Sequence, residues 1–229
     1  MFATLTGVLL GVLVGVRHAF EPDHLAAVST LVTDARSAGR GALLGAIWGV
    51  GHTLALVIVG AALLAAGALV PPGLEAAFEL AVALMLVGLG ARAVVRAWRD
   101  GARGPLRAHD HGGGRHVHAA AAGGHVHLGR WTLAWRPLAV GLVHGLAGSG
   151  AVTALVFAEL ASDAARVAYI ALFGAGSIAG MALASGLAGA SLARLSLRDA
   201  HLRRLAIVTG VLSIVVGFAW GLPLIGALA

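Results

Sequence analysis

The stretch GVRHAFEPDHLAAV, residues 15–28, places five ionisable side chains and a proline inside an otherwise apolar segment. The five ionisable residues are Arg17, His18, Glu21, Asp23 and His24. Pro22 has no backbone N–H to donate to the carbonyl of His18, and its ring clashes there, so the helix should break at this proline. We expect the break to free the His18 carbonyl oxygen and to swing Asp23 and His24 toward His18.

The composition is that of a membrane protein. Hydrophobic residues make up 59% of the chain and charged residues only 11%, against about a quarter charged in a typical soluble domain. Apolar stretches of at least ~18 residues predict membrane spans, and six stretches fit. They are residues 3–32, 41–68, 74–95, 133–157, 166–190 and 204–227. The sequence therefore predicts an all-α polytopic membrane protein with six transmembrane helices, the first broken at Pro22. The absence of cysteine excludes disulfides and thiolate metal sites.

The basic residues indicate an orientation in a cell membrane. All sixteen are arginine, and fourteen of them follow the first, third and fifth predicted spans, whereas only Arg166 follows the second or fourth. Short cytoplasmic loops collect basic residues, so both termini should lie outside the cytoplasm. Arginines that sit between spans mark topology rather than a surface for nucleic acid.

The two halves of the chain resemble each other. Residues 15–28 align with GLVHGLAGSGAVTA, residues 141–154, which places His18 over His144, and residues 44–55 align with residues 173–184, which places His52 over Met181. With three predicted spans in each half, the second copy would be inverted, as in many transporters. The predicted division is a three-helix repeat in 1–100, a loop in 101–132 and a second three-helix repeat in 133–229. Shared packing of small residues is the alternative explanation.

The charged residues of the first span suggest a transition-metal site. One Asp or Arg at the bilayer centre costs about 2.5–3.5 kcal/mol of insertion free energy. The presence of Arg17, Glu21 and Asp23 in one span therefore suggests a function. Imidazole suits nickel, cobalt, copper and zinc, whereas magnesium and calcium prefer oxygen. The predicted ligands are His18, Asp23, His24 and His52, with Glu21, His144 and Met181 as further candidates. The alternative is an internal network in which Arg17 pairs with a carboxylate and Pro22 opens a half-helix.

Three segments resemble one family. RHAFEPDHL, residues 17–25, resembles the R-H-A-x-x-x-D-H motif of the nickel/cobalt transporter family, and most of all its six-span urease-accessory-type membrane proteins. WGVGHT, residues 48–53, and LVHGLAGSGA, residues 142–151, resemble later segments of that family. The resemblance implies that His18, Asp23 and His24 select and transport the metal, and it carries over His52 and His144. Glu21-Pro22 departs from the Asp-Ala of many members, which leaves the metal preference open.

The segment HDHGGGRHVHAAAAGGHVH, residues 109–127, is rich in histidine. Its glycines and alanines cannot build a core, so we expect a disordered cytoplasmic loop. Tracts of this kind are typical of metal capture, which we expect to be dispensable for the transport step, although a spacer without a role remains the alternative. The peripheral candidates are His109, His111, His116, His118, His125 and His127.

The predicted function is transport of Ni²⁺ or Co²⁺, with import favoured over export, between two halves that rock around the site. No prosthetic group and no enzyme activity are expected, and the expected partners are the metal ion, the lipid bilayer and a cytoplasmic metal chaperone. Uptake should fall toward pH 6, because protons compete with metal for imidazole. Export stays open, as do an intramembrane serine protease suggested by GLAGSG and a membrane metal chaperone or sensor that does not transport.

Overall fold

The structure, a computed structural model, is mainly helical in the residues that it describes, with four short strands between the fourth and fifth helices. It describes residues 2–32, 37–66, 70–103, 108–110, 115–117, 125–128, 131–147, 160, 162–194 and 199–228. The helices are α1 (Phe2–His18), α2 (Pro22–Leu31), α3 (Ala38–Ala66), α4 (Pro72–Arg103), α5 (Trp135–Ala147), α6 (Asp163–Arg194) and α7 (Asp199–Leu228). The strands are β1 (Ala108–Asp110), β2 (Arg115–Val117), β3 (His125–Leu128) and β4 (Trp131–Ala134).

The first apolar segment is interrupted where the proline predicts it. Helix α1 ends at His18, and α2 begins with Pro22 at its first position after Glu21, whose backbone is extended (φ −66°, ψ 152°). Pro22 fits the first turn of a helix because that turn needs no N–H from it. The expectation of a free His18 carbonyl is wrong, because this oxygen accepts a hydrogen bond from the Glu21 N–H at 3.0 Å.

The prediction of six transmembrane helices is wrong. Within the described residues, four helices are long and apolar enough to cross a membrane: Ala38–Leu63, Pro72–Arg99, Asp163–Arg194 and Ala200–Gly226. The first predicted span consists instead of two shorter helices, because Pro22 prevents a continuous one. The fourth predicted span contains the 13-residue helix α5, and the rest of it, from residue 148, lies outside the described residues. The prediction of two inverted three-helix repeats was based on three spans in each half, so it no longer has that support. The helical membrane class is confirmed.

Small residues set the distance between the helices. The most extensive packing joins α3 with α6, α4 with α7, α1 with α6 and α3 with α5. At several contacts a glycine lies directly on the backbone of the neighbouring helix. A methyl group added at Gly45 would meet the carbonyl of Met181, and one added at Gly141 would meet the carbonyl of Trp48. Such close approach is a common basis of helix association in lipid, where the hydrophobic effect does not draw helices together and close packing must do so.

Replacing Gly141 with alanine should therefore destabilise the protein. The added methyl would collide with the Trp48 carbonyl oxygen and lie 2.9 Å from the backbone nitrogen of His52. Backbone atoms cannot move aside as the end of a side chain can. We expect the free energy of unfolding to fall by about 1–3 kcal/mol, measured by thermal unfolding of the purified protein in detergent. Gly88→Ala is the matched control, since nothing lies within 4 Å of the added methyl. Equal melting temperatures for the two variants would contradict the packing described here.

Contacts in the two halves of the chain match in pairs. Gly15 lies on Phe173 and Ser177, as Gly141 lies on Trp48 and His52. Gly176 lies on Val12, as Gly51 lies on Leu138. Gly49 lies on Ile178, as Gly174 lies on Thr53. Their register relates His18 to His144, as the sequence alignment predicted. It relates His52 to Ser177, however, and not to Met181. The sequence alignment was thus wrong by one helical turn in this helix, because two glycine pairs coincide in either register and the shifted one has more identities.

The histidine-rich segment contains two short antiparallel pairs. Strand β1 pairs with β2, and β3 pairs with β4. A lone two-stranded sheet is only marginally stable in water. The prediction that residues 101–132 form a loop between two structural units stays a prediction.

Candidate metal centre

The helix break brings two histidines together. His18 is the last residue of α1, and His24 lies in the first turn of α2. On an unbroken helix the six-residue separation would put them about 9 Å apart along the axis and on different faces. In the structure their ring centroids are 4.3 Å apart.

A third histidine reaches the same point from another helix. His52, in the middle of α3, is fully buried, and its ring centroid lies 5.1 Å from that of His18 and 5.3 Å from that of His24. One ring nitrogen from each of the three histidines can be chosen so that all lie within 4.8 Å of one another. A single ion between them could contact all three.

Two carboxylates orient the rings of His18 and His24. The Nδ1 of His18 lies 2.9 Å from a Glu21 oxygen, and the Nδ1 of His24 lies 3.0 Å from an Asp23 oxygen. An ionised carboxylate only accepts hydrogen bonds, so each Nδ1–H must donate and each Nε2 keeps its lone pair. Hydrogen bonds of this kind fix the tautomer of metal-binding histidines and increase their basicity.

His144 of α5 joins the cluster through Asp23. Its Nε2 donates to the second Asp23 oxygen at 2.7 Å, and its ring centroid lies 4.1 Å from that of His24. Asp23, His24 and His144 form a second group whose potential ligand atoms lie within 4.8 Å of one another. His24 thus belongs to both groups.

Several buried nitrogens in this cluster lack a hydrogen-bond partner among the described residues. They are Nε2 of His18, Nε2 of His24, both ring nitrogens of His52 and Nδ1 of His144. A buried polar atom without a partner costs about 1–3 kcal/mol, and such atoms are few in folded proteins. Buried imidazole nitrogens without a hydrogen-bond partner, in three histidines that each bring one ring nitrogen within 4.8 Å of the others, are the kind of ligands that a divalent transition metal binds.

Aromatic rings that the sequence analysis did not single out enclose the cluster. The ring of Trp48 lies 5.5 Å from His24 and 5.7 Å from His144, and the ring of Phe173 lies 5.4 Å from His18. Trp48 had a signal in the sequence, because it precedes His52 by one helical turn and so shares its face. Phe173 had no comparable signal.

The other predicted residues occupy different surroundings. Glu21 lies at the edge of the cluster, with its side chain 48% exposed. Met181 is buried in a hydrophobic cluster with Trp48 and Ala19. The carboxylates expected to pair with Arg17 instead accept hydrogen bonds from histidines.

The metal-binding role of the peripheral histidines stays a prediction. His109, His116, His125 and His127 lie on the short strands. His111 and His118 lie outside the described residues.

Comparisons with known proteins point in the same direction as this geometry. A sequence model described as high-affinity nickel-transport protein matches residues 4–226. Urease accessory protein UreH of Bacillus sp. (strain TB-90) is 31% identical over 210 residues, which cover 91% of this chain and 87% of that protein. No solved structure matches the chain.

Proposed function

This chain belongs to the family of high-affinity nickel-transport proteins, and on that premise we propose that it binds its ion with the imidazoles of His18, His24 and His52. The predicted family and the predicted function, nickel transport across a membrane, are confirmed by the family match. The observation that carries the proposed site is the convergence of unpartnered, buried ring nitrogens at the helix break. Within this proposal Glu21 and Asp23 orient the rings, and Asp23 also supplies the negative charge that the cation needs in a medium of low dielectric constant.

The second group gives the ion a neighbouring position. Asp23 and His144 share His24 with the first group, so an ion that displaces the hydrogen bond between His144 and Asp23 can exchange one ligand at a time without losing contact with the ring of His24. The second group also comes from the other half of the chain, through His144. A rocking motion of the two halves would therefore change the ligands available to the ion.

Nickel and cobalt are both suitable substrates for these ligands. Imidazole nitrogen binds both divalent ions, and for a given site the affinity for nickel exceeds that for cobalt. We therefore propose that cobalt is a weaker, competing substrate. No prosthetic group enters this proposal.

Import is the direction that the membrane potential supports. A divalent cation that enters a negative interior gains about 4.6 kcal/mol per 100 mV, whichever way the protein is oriented. Import then needs no coupled ion, whereas export against the same potential does.

Purified protein in liposomes tests both the transport and its direction. Uptake of radioactive Ni²⁺ should increase when a potassium gradient with valinomycin makes the interior negative, and it should fall when the potential is reversed. The fraction of the protein inserted in each orientation is measured by the accessibility of residues 101–132 to added protease. Uptake that ignores the potential, or that requires an opposing proton gradient, would support export instead. Metal binding without flux would identify a sensor or chaperone.

The histidine-rich segment is proposed to collect metal at the cytoplasmic face, where a metal chaperone could exchange the ion. Deleting residues 108–128 should leave the maximal rate of nickel uptake in liposomes within about twofold of wild type, because no residue of this segment belongs to the two described ligand groups. The control is a deletion variant carrying a glycine-serine linker of the same length. Loss of transport in both variants would mean that the segment takes part in the transport step.

A further inference from the structure

Ser177 on α6 is a fully buried polar residue that the proposed site does not yet use. Its side chain is 0% exposed, and its Oγ has no hydrogen-bond partner among the described residues. A serine or threonine in a helix usually donates to a carbonyl of the preceding turn. Ser191 and Thr209 do so here, to Leu187 and Leu205, each at 2.9 Å. The hydroxyl of Ser177 differs from these two in having no such hydrogen bond among the described residues.

The neighbours of Ser177 along α6 place it beside the metal centre. Phe173, one turn earlier, contacts the ring of His18. Met181, one turn later, packs in the cluster that contains Ala19. A methyl group added at Gly15, one turn before His18, would lie 2.9 Å from the Ser177 nitrogen. Ser177 thus lies on the face of α6 that adjoins the end of α1.

The matching contacts of the two halves point to the same location. Gly141 lies on Trp48 and His52 as Gly15 lies on Phe173 and Ser177. The hydroxyl of Ser177 accordingly takes the position in the second half that the imidazole of His52 takes in the first. Because His52 is one of the three proposed ligands, a polar group at the related position has the placement needed to face the same ion.

We propose that Ser177 supplies an oxygen ligand to the transported ion and sets the preference for nickel over softer metals. This inference rests on the proposed function. Three imidazoles leave room for further ligands on Ni²⁺, and a neutral hydroxyl adds an oxygen without adding charge. An oxygen ligand favours the harder ions, whereas a thiolate in its place would favour soft ions.

Two substitutions of Ser177 and one of a matched serine test the proposal. In liposomes, Ser177→Ala should raise the KM for radioactive Ni²⁺ roughly 10-fold, the range found when groups that support a metal are removed, with little change in the maximal rate. Ser177→Cys should increase inhibition of nickel uptake by Cd²⁺. Ser185→Ala is the control, because Ser185 is equally buried on α6 but lies two turns further from His18.

The outcomes separate this inference from the function on which it rests. Absence of nickel uptake by the wild-type protein would overturn the proposed function itself. Wild-type uptake together with a Ser177→Ala KM within about twofold of it would overturn only the role of Ser177. An equal rise of KM in Ser185→Ala would show that the loss of any buried hydroxyl on α6 has this effect, and would also overturn that role. An unchanged cadmium inhibition in Ser177→Cys would do the same.

Discussion

Replacing His24 with asparagine should lower the kcat/KM for nickel uptake at least about 100-fold. His24 contributes to both ligand groups, so no neighbouring residue can compensate for its loss. Removal of a group that only supports a metal ligand costs about 10–100-fold, and removal of a ligand should cost more. Asparagine keeps a short polar side chain in the first turn of α2 but does not reach as far as the imidazole Nε2.

The measurement is uptake of radioactive nickel into liposomes, with nickel binding to the detergent-purified protein determined by calorimetry. His201→Asn, at an exposed position of α7, is the control for general effects of losing a histidine. The far-UV circular dichroism and melting temperature of both variants establish that they are folded. A folded His24→Asn protein that binds and transports nickel like the wild type would rule out the proposed site.

Replacing Asp23 with asparagine should weaken nickel affinity about 10–100-fold while leaving the shape of the site unchanged. The two oxygens of Asp23 accept hydrogen bonds from His24 at 3.0 Å and from His144 at 2.7 Å. An amide presents an NH₂ group to one of these two rings, so that one hydrogen bond must be lost or that ring must change tautomer. If His24 changes tautomer, its Nε2 carries the proton and can no longer bind metal.

The effect of Asp23→Asn should appear in binding as well as in transport, because the change acts on the ligands of the resting site. Asp163→Asn is the matched control, since Asp163 forms a surface ion pair with Arg166 at 3.0 Å and its side chain is 77% exposed. Such pairs contribute little to stability, so this variant should transport normally. Normal nickel affinity in Asp23→Asn would mean that the carboxylate does not orient the ligands.

Local sequence was enough to locate the interruption of the first segment and the residues around it. Pro22 cannot donate to a preceding carbonyl wherever it occurs in a helix, so the break follows from covalent structure alone. The prediction that His18 and His24 approach each other depended only on that break. His52 could be named because it is one of four histidines in the predicted spans and because its segment resembles the family.

The contacts between distant helices could not be predicted in the same way. The hydrogen bond between the side chains of His144 and Asp23 joins residues 121 positions apart. It depends on how closely α5 packs on α3. That distance is set by Gly141 and Gly145 against the backbone of α3. In a glycine-rich chain more than one register satisfies the spacing of small residues, and the sequence favoured the alignment of His52 with Met181 over its actual relation to Ser177.

The sequence by itself determined the membrane class, the family, the break at Pro22 and the residue types of the candidate site, because each depends on composition or on neighbours in the chain. Only the tertiary structure decided that four of the described helices are long enough to span, that Asp23 holds His24 and His144 together, and that Ser177 lies beside α1. These features depend on backbone-to-backbone contacts between helices far apart in sequence, and the energy of such contacts is fixed only once the register is chosen.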